Sequence, residues 1–243
     1  MSRPFEIIRE VDLPAAPEDV WTAVTADSAA WLFPTGLEIP AGSEPPADGP
    51  FTTWDHPHRL VVHMQSPDGT FNALDYTIEA RDGGTAHLRY VHSGILADGW
   101  EDEYDGACAH TDFYLHTLGQ YLAHFNGRDV TYVGQPSSGI DGPEAAGTPE
   151  ATDALRAALG VPSGAVAGDP VHASLGDAGP LDGVIDYATP EFLGVRTSDG
   201  LYRFFGRNHF GHVVGMSAHL FAGDVDAAAR EAALKAWLDA IYA

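Results

Sequence analysis

Alternating hydrophobic and polar residues at the start of the chain predict a β-strand over Phe5–Leu13. The following segment, Pro14–Asp19, combines prolines with two acidic residues, which favours a turn and the first turn of a helix. Val20, Trp21 and Val24 then follow at helical spacing. The opening of the chain is therefore predicted to be a strand followed by a short amphipathic helix.

Four more strand-like runs follow a loop-rich segment, and turn signals separate them. They are Phe51–Trp54, Arg59–Gln65, Phe71–Ala80 and Thr85–Ser93. Apolar residues three or four positions apart then predict a long helix over Ala107–Phe125, with Asn126 and Gly127 as its stop signal. The first half is expected to be an antiparallel meander closed by a helix.

A segment rich in glycine, proline and serine, residues 134–149, is typical of a linker between two parts of the chain. Asp129–Val133 precedes it and is predicted to be a strand, whereas Thr148 and Pro149 are good signals for the start of a helix. Further strands are expected at Gly183–Ala188, Phe192–Thr197, Leu201–Phe205 and Gly211–Phe221, before a final helix, Val225–Tyr242, capped by Asp224.

The two halves thus share an order of strand, short helix, further strands and final helix. We predict an α+β fold with two domains, residues 1–128 and residues 129–243. The second domain is interpreted as a degenerate repeat of the first, with an unrelated α+β extension as the alternative.

Composition narrows the classes of partner. The chain has 35 acidic and 12 basic residues and a formal net charge of −23, which repels nucleic acids and anionic membrane surfaces. It contains neither an apolar run of about 18 residues nor a signal-peptide pattern, and Cys108 is its single cysteine. We therefore expect a cytoplasmic, bacterial protein, with salt adaptation as another interpretation of the acidity; the oligomeric state stays open.

Several motifs in the first half resemble SRPBCC (START-like) proteins, nearest the branch of heat-shock-protein ATPase activator homologues. Val11–Thr25 is similar to the opening strand and helix of that group, and His56–Val61 to its Pro-x-Arg-Leu entry into a strand. Gly83–Gly94 is similar to its Gly-Gly-Thr … His-x-Gly strand, and Leu118–Leu122 to the end of its last helix. The resemblance spans about 120 residues and implies a helix-grip fold, in which a curved antiparallel sheet surrounds a long C-terminal helix.

One departure concerns the Gly-Trp pair that opens the last helix of the family. Gly99 and Trp100 lie earlier than expected here, and the acidic run Glu101–Asp105 separates them from the predicted helix. We interpret Asp98–Gly106 as a solvated acidic loop, since its spacing does not fit the EF-hand pattern.

The helix-grip fold implies a cavity between the sheet and the last helix, and strand periodicity suggests its lining. The predicted ligand-binding residues are Leu74, Tyr76, Ile78, Leu88, Tyr90 and His92 on two strands, Tyr114 and Leu118 on the helix, and Trp100 and Tyr104 at the mouth. Such a set is apolar with a few hydroxyl and imidazole groups, a mixture that suits a small organic ligand. A solid core is the alternative.

Catalytic signals are weak. His92, Tyr76 and His110 are candidates for proton transfer, because imidazole titrates near neutrality and a phenol can donate to a developing oxyanion. Cys108 lies on the apolar helix face and is expected to be an inert buried thiol. No metal site and no cofactor are predicted, since the paired histidines lack a full ligand frame.

Basic and aromatic residues alternate over Leu201–His212, where Arg203, Arg207 and His209 stand out in an acidic half. They are predicted to hold an anionic or planar ligand, or to be ordinary exposed bases of a hairpin.

Three hypotheses of function follow. The leading one is binding of a small hydrophobic or amphipathic molecule in the first domain. The alternatives that the resemblance implies are a protein-interaction domain of the co-chaperone type and an enzyme of the cyclase or dehydratase type using cavity histidine and tyrosines.

Overall fold

A computed structural model describes residues 3–36, 39–40, 42–67, 69–96, 100–136 and 139–243, apart from the side chains of residues 3, 96 and 100–103. The chain folds into two compact units. The first comprises residues 1–31 and 36–126, and the second comprises residues 127–243 together with the segment 32–35.

The first unit is a five-stranded antiparallel sheet with two helices. Its strands are β1 (Arg3–Leu13), β2 (Phe51–Asp55), β3 (Arg59–Gln65), β4 (Phe71–Arg81) and β5 (Thr85–Leu96), and its helices are α1 (Pro17–Val24) and α2 (Trp100–His124). The strand order is β1-β5-β4-β3-β2, so the first strand pairs with the last and the others form a meander. Gly83 and Gly84 turn β4 into β5 with φ angles of +77° and +76°, which glycine adopts without steric cost.

The predicted meander and closing helix are confirmed, but the start of the helix was predicted too late. Helix α2 begins at Trp100 rather than Ala107, so the acidic run Glu101–Asp105 is helical and the interpretation of this run as a loop was wrong. Acidic residues are favourable beside the positive N-terminal end of a helix, and glutamate is a good helix former. Trp100 therefore opens the last helix, as in the family that the sequence resembles.

The core of the first unit lies between the sheet and both helices. Its fully buried large side chains come from β1, β3, β4, β5, α1 and α2 and include Ile7, Leu60, Ile78, Leu88, Trp21, Phe113, Leu118 and Tyr121. Trp21 packs edge to face against Trp54 and His56, with ring centroids 5.1 Å apart in each pair.

The second unit contains seven strands and two α-helices among its described residues. They are β6 (Thr131–Val133), β7 (Ile140–Asp141), α3 (Ala151–Ala158), β8 (Pro170–Ser174), β9 (Pro180–Ala188), β10 (Phe192–Arg196), β11 (Gly200–Phe205), β12 (Gly215–Leu220) and α4 (Ala227–Ile241). The strand order is β6-β12-β11-β10-β9-β8, and β7 also pairs with β12. The first strand again pairs with the last, the other strands return in sequence to the far edge, and a helix follows, so this unit repeats the connectivity of the first.

The segment 134–149 differs from the linker that its composition predicts. Ile140 belongs to β7, Ala146 lies in a short 3-10 turn, and both side chains are buried in the hydrophobic core of the second unit. Two main-chain hydrogen bonds to Val214 also hold residues 142–146 in place. The amide of Gly142 donates to the Val214 carbonyl, and the carbonyl of Ala146 accepts from the Val214 amide.

Helix α4 also begins later than its sequence signal. Asp226, not Asp224, is its N-cap, and its carboxylate accepts a hydrogen bond from the amide of Ala229 at 3.0 Å. Asp224 instead has a φ angle of +54°, which places it in the preceding turn. None of the helices in the described parts of the chain is long and apolar enough to cross a membrane.

Candidate functional site

The inner face of the first sheet is formed by alternate residues of β4 and β5. Three cross-strand pairs build it, Leu74 with His92, Tyr76 with Tyr90 and Ile78 with Leu88. Ile78 and Leu88 are fully buried, whereas Leu74 and His92 are only half-buried. The face is therefore closed at the Ile78–Leu88 end and more accessible at the other.

Two tyrosines stand at the middle of this face. Tyr76 and Tyr90 are 4% and 9% exposed, and their ring centroids lie 5.0 Å apart. Neither hydroxyl makes a hydrogen bond to a residue that the structure describes, and neither oxygen is among the fully buried atoms that lack a partner. Burial raises the pKa of both phenols, so each keeps its proton and remains a hydrogen-bond donor.

His92 lies beside the tyrosines at the more accessible end. Its Nε2 atom is 2.7 Å from Oδ1 of Asn72, and its ring packs edge to face on Phe5 with centroids 5.0 Å apart. Burial lowers the pKa of His92, which favours the neutral ring. With Nε2 donating to the amide oxygen, Nδ1 is an acceptor. The ring of Tyr104 on α2 packs edge to face on the same Phe5 ring, with centroids 6.4 Å apart. The Tyr104 hydroxyl donates a hydrogen bond to the carbonyl of Glu6.

A charged pair on this face was missed by the sequence analysis. Arg9 pairs directly with Tyr90 in the β1–β5 register, so its side chain shares the inner face. Its Nε and Nη2 atoms donate to the two carboxylate oxygens of Asp112 on α2, and hydrogen bonding to Asp112 is the main cause that raises the pKa of Arg9. Period two along β1 was the available signal, because it groups Arg9 with Ile7 and Val11.

Cys108 differs from the buried, inert thiol that its position predicts. It is half-buried, and its thiol is near enough to Arg9 and Tyr104 to raise the pKa of both groups, for Arg9 after the larger effect of Asp112. Tyr104, Cys108 and Asp112 are each four residues apart, so they form the side of α2 that meets β1.

His110 lies on another side of α2. Two residues correspond to about 200° around a helix, so His110 is almost opposite Cys108. Its Nδ1 atom lies 2.8 Å from the carbonyl oxygen of Gly106, and its ring lies 6.0 Å from that of Tyr114. Tyr76, Tyr90 and His92 are thus neighbours on the sheet, whereas His110 lies one helical turn before Tyr114 on α2. The side chain of Trp100, predicted at the mouth, lies outside the described residues.

The basic stretch of the second unit does not form the predicted anion site, nor is it simply exposed. The side chains of Arg203 and Asp186 are 1% and 3% exposed, and Nη1 of Arg203 donates to the Asp186 oxygens at 2.7 and 3.0 Å. A Cβ atom at Gly194 would lie 2.3 Å from both partners, so glycine leaves room for this pair. Arg207 forms an ion pair with Asp141.

The first unit has the helix-grip fold. Its sheet pairs first strand with last and packs against the long helix α2, as the resemblance in its sequence implies.

No family model and no curated protein matches the chain. Similar solved structures include the Aha1 dimer from Colwellia psychrerythraea, with 16% identity, a TM-score of 0.37 and coverage of 49% of this chain and 96% of that one. DynU16, a putative protein in the dynemicin biosynthetic locus, has 14% identity and a TM-score of 0.37, and covers 98% of this chain and 95% of its own. Protein MLL2253 from Mesorhizobium loti has 21% identity and a TM-score of 0.40, and the match covers 50% of this chain and 98% of that one.

Proposed function

We propose that the first unit binds a small, neutral, mostly apolar molecule that carries a hydrogen-bond acceptor. The observation that supports this most is the pair of buried phenols, Tyr76 and Tyr90, whose hydroxyls have no partner among the described residues. A carbonyl or ether oxygen of a ligand would accept hydrogen bonds from these hydroxyls, and each such bond typically contributes about 0.5–1.5 kcal/mol.

The surroundings of the phenols favour a neutral ligand. Arg9 is already neutralised by Asp112, and burial keeps His92 uncharged. The proposed lining consists of Leu74, Tyr76, Ile78, Leu88, Tyr90 and His92 on the sheet and Tyr114 and Leu118 on α2, with Tyr104 at the mouth. A neutral aromatic or alicyclic ketone has the matching chemistry, since its carbon skeleton suits the aliphatic wall and its oxygen suits the phenols.

Calorimetric titration with acetophenone and with ethylbenzene tests the proposal. The two probes have nearly the same shape, but only acetophenone carries an acceptor oxygen. We expect the full chain to prefer acetophenone, and the double variant Tyr76→Phe/Tyr90→Phe to lose that preference. Equal binding of both probes by the wild type, or an unchanged preference in the double variant, would contradict the proposal.

Tyr121→Phe is a matched control. Tyr121 is also fully buried, but its hydroxyl donates to Oδ2 of Asp27 at 2.9 Å. Its loss should lower the free energy of unfolding by about 1–2 kcal/mol and leave the preference for acetophenone unchanged. Tyr76→Phe removes a hydroxyl that has no protein partner, so it should not destabilise the ligand-free protein. A similar destabilisation by both substitutions would show that the Tyr76 hydroxyl is satisfied within the protein.

The catalytic hypothesis keeps His92, Tyr76 and His110 as its candidates, and Tyr90 adjoins the first two on the sheet. Tyr76, Tyr90 and His92 would bind a carbonyl compound in the same way whether or not a reaction follows. A role as a protein-interaction domain is the other alternative, and binding of acetophenone through the phenols does not depend on it.

A further inference from the structure

A second concave site lies in the second unit, and of the three basic residues that the sequence singled out, His209 borders it. It is a cleft of about 340 Å³ between one face of α3, the segment 163–165 and the turn that joins β9 to β10. Its apolar lining is formed by Pro149, Ala165, Ala188 and Pro190, and its polar lining by Thr152, Asp153, Arg156, Ser163, Thr189 and His209.

Arg156 is the buried cation of this cleft. The residue is 7% exposed, and its Nη2 atom donates to the main-chain carbonyls of Thr189 and Phe192. These two bonds fix the guanidinium against the β9–β10 turn. Its Nε and Nη1 atoms donate to no atom of the described residues, and no carboxylate of those residues lies within ion-pair distance. Buried charges are normally paired, so this arrangement lacks a counter-ion.

The charges around Arg156 limit what that counter-ion can be. Burial lowers the pKa of the guanidinium, and the carboxylates of Asp153 and Glu191 oppose this effect from a greater distance. Arginine nevertheless stays protonated in proteins. One cation with acidic neighbours accommodates a single negative charge better than two, so a monocarboxylate fits better than a phosphate dianion.

The other polar groups divide into support and rim. The hydroxyl of Thr152 donates to Asn208 Oδ1 at 2.7 Å, and the amide of Asn208 donates to the carbonyl of Thr148, so these side chains hold the wall together. Ser163 and His209 are exposed at the rim and can supply further donors.

We propose that this cleft binds the carboxylate of a small apolar organic acid, with Arg156 Nε and Nη1 as the donors to its oxygens and Pro149, Ala165, Ala188 and Pro190 around its apolar part. A planar guanidinium suits a carboxylate because two parallel N–H bonds match its two oxygens. The cleft is near the lower end of the volumes of known ligand sites, which favours a compact acid.

Calorimetric titration of the full chain with benzoate, benzamide and inorganic phosphate, at constant ionic strength, tests the proposal. Benzamide keeps the shape of benzoate without its charge. At this cleft, taken as the binding component that Ala165→Phe removes, we expect saturable binding of benzoate and at least about tenfold weaker binding of benzamide and of phosphate. Charge-assisted hydrogen bonds are about twice as strong as neutral ones.

Two variants locate the site. Arg156→Gln should weaken benzoate binding by about tenfold or more. Ala165→Phe keeps the arginine but fills the cleft, and it should weaken benzoate binding similarly. Arg81→Gln, which changes an exposed arginine of the first unit, should bind benzoate like the wild type.

Several results would overturn the proposal: no saturable benzoate binding, a component removed by Ala165→Phe that is equal for benzoate and benzamide, or wild-type affinity for benzoate in Ala165→Phe. Tighter binding of phosphate than of benzoate would overturn the assignment to monocarboxylates. If Arg156→Gln fails to fold because two carbonyls lose their donor, the Ala165→Phe variant and the benzamide comparison decide.

Discussion

Replacing Asp186 by Asn removes one charge from a buried ion pair and changes little else. The carboxylate accepts two hydrogen bonds from Nη1 of Arg203 at 2.7 and 3.0 Å, and both side chains are almost completely buried. Asparagine has nearly the same shape and keeps one acceptor oxygen, so the substitution leaves the guanidinium charge of Arg203 without its closest counter-charge.

The magnitude follows from the distance and the burial. Two unit charges about 4 Å apart interact with about 4 kcal/mol at an effective dielectric constant of about 20. Leaving one member of a buried pair uncompensated typically costs about 3–5 kcal/mol. We therefore expect Asp186→Asn to lower the free energy of unfolding of the second unit by about 3–5 kcal/mol. The double variant Asp186→Leu/Arg203→Met removes both charges and should be closer in stability to the wild type.

Tryptophan positions allow the second unit to be followed separately. Trp237 is its only tryptophan, because the other four of the five in the chain, at positions 21, 31, 54 and 100, belong to the first unit. Urea unfolding of protein labelled with 5-fluorotryptophan, followed by fluorine NMR, reports each unit in turn, and Trp237→Phe assigns the relevant signal. If Asp186→Asn lowers the free energy of unfolding by less than about 1 kcal/mol, this reasoning is refuted. It is also refuted if Asp186→Leu/Arg203→Met is less stable than each of the single variants Asp186→Leu and Arg203→Met.

Two further predictions concern single side chains. Burial lowers the pKa of His92, so the unfolded chain binds a proton at this side chain at a higher pH than the folded chain does. The contribution of the neutral His92 ring to the free energy of unfolding is therefore complete above about pH 6.5 and is lost as the pH falls below that value. Urea unfolding of the first unit at pH 7.5 and 5.5 should show a smaller loss in His92→Gln than in the wild type or in the exposed control His124→Gln, and equal losses would contradict the assignment. Asp226→Ala should cost the second unit about 1 kcal/mol through loss of the cap of α4, whereas Asp224→Gly, at a positive φ angle, should not destabilise it; the reverse order in urea unfolding would make Asp224 the cap.

Local patterns predicted most of the first unit because its strands are long and alternate cleanly. Strand β3 has the predicted limits, Arg59–Gln65, since a turn precedes it and one face of it is buried. Helix α2 was predicted too short because its first turns are acidic and carry little apolar periodicity. Arg9 was missed because it is a single charged residue among the apolar residues on one face of β1. Its ion-pair partner, Asp112, lies about a hundred residues later in the chain, where strand periodicity gives no sign of the contact.

The cleft around Arg156 could not be predicted from sequence patterns. Its lining comes from segments that are distant along the chain, and the two carbonyls that hold the guanidinium belong to Thr189 and Phe192. The ion pair of Arg203 could not be predicted either. Its partner Asp186 lies on β9, and the two side chains meet across Gly194 of the intervening strand β10. Charge, spacing and propensity describe neighbours along the chain, whereas these contacts depend on how strands are ordered in the sheet.

The shared strand order has a consequence for how each unit is made. Strand β1 pairs along its whole length with β5, from Arg3 with Leu96 to Leu13 with Ala86, and β6 pairs with β12. During synthesis the first strand of each unit therefore lacks its partner strand, β5 or β12, until most of that unit has left the ribosome. Closing the sheet is a late, non-local step that requires a long loop to be ordered first, which slows folding. Since β5 is made well before β12, the first unit can complete its sheet while the second is still being translated.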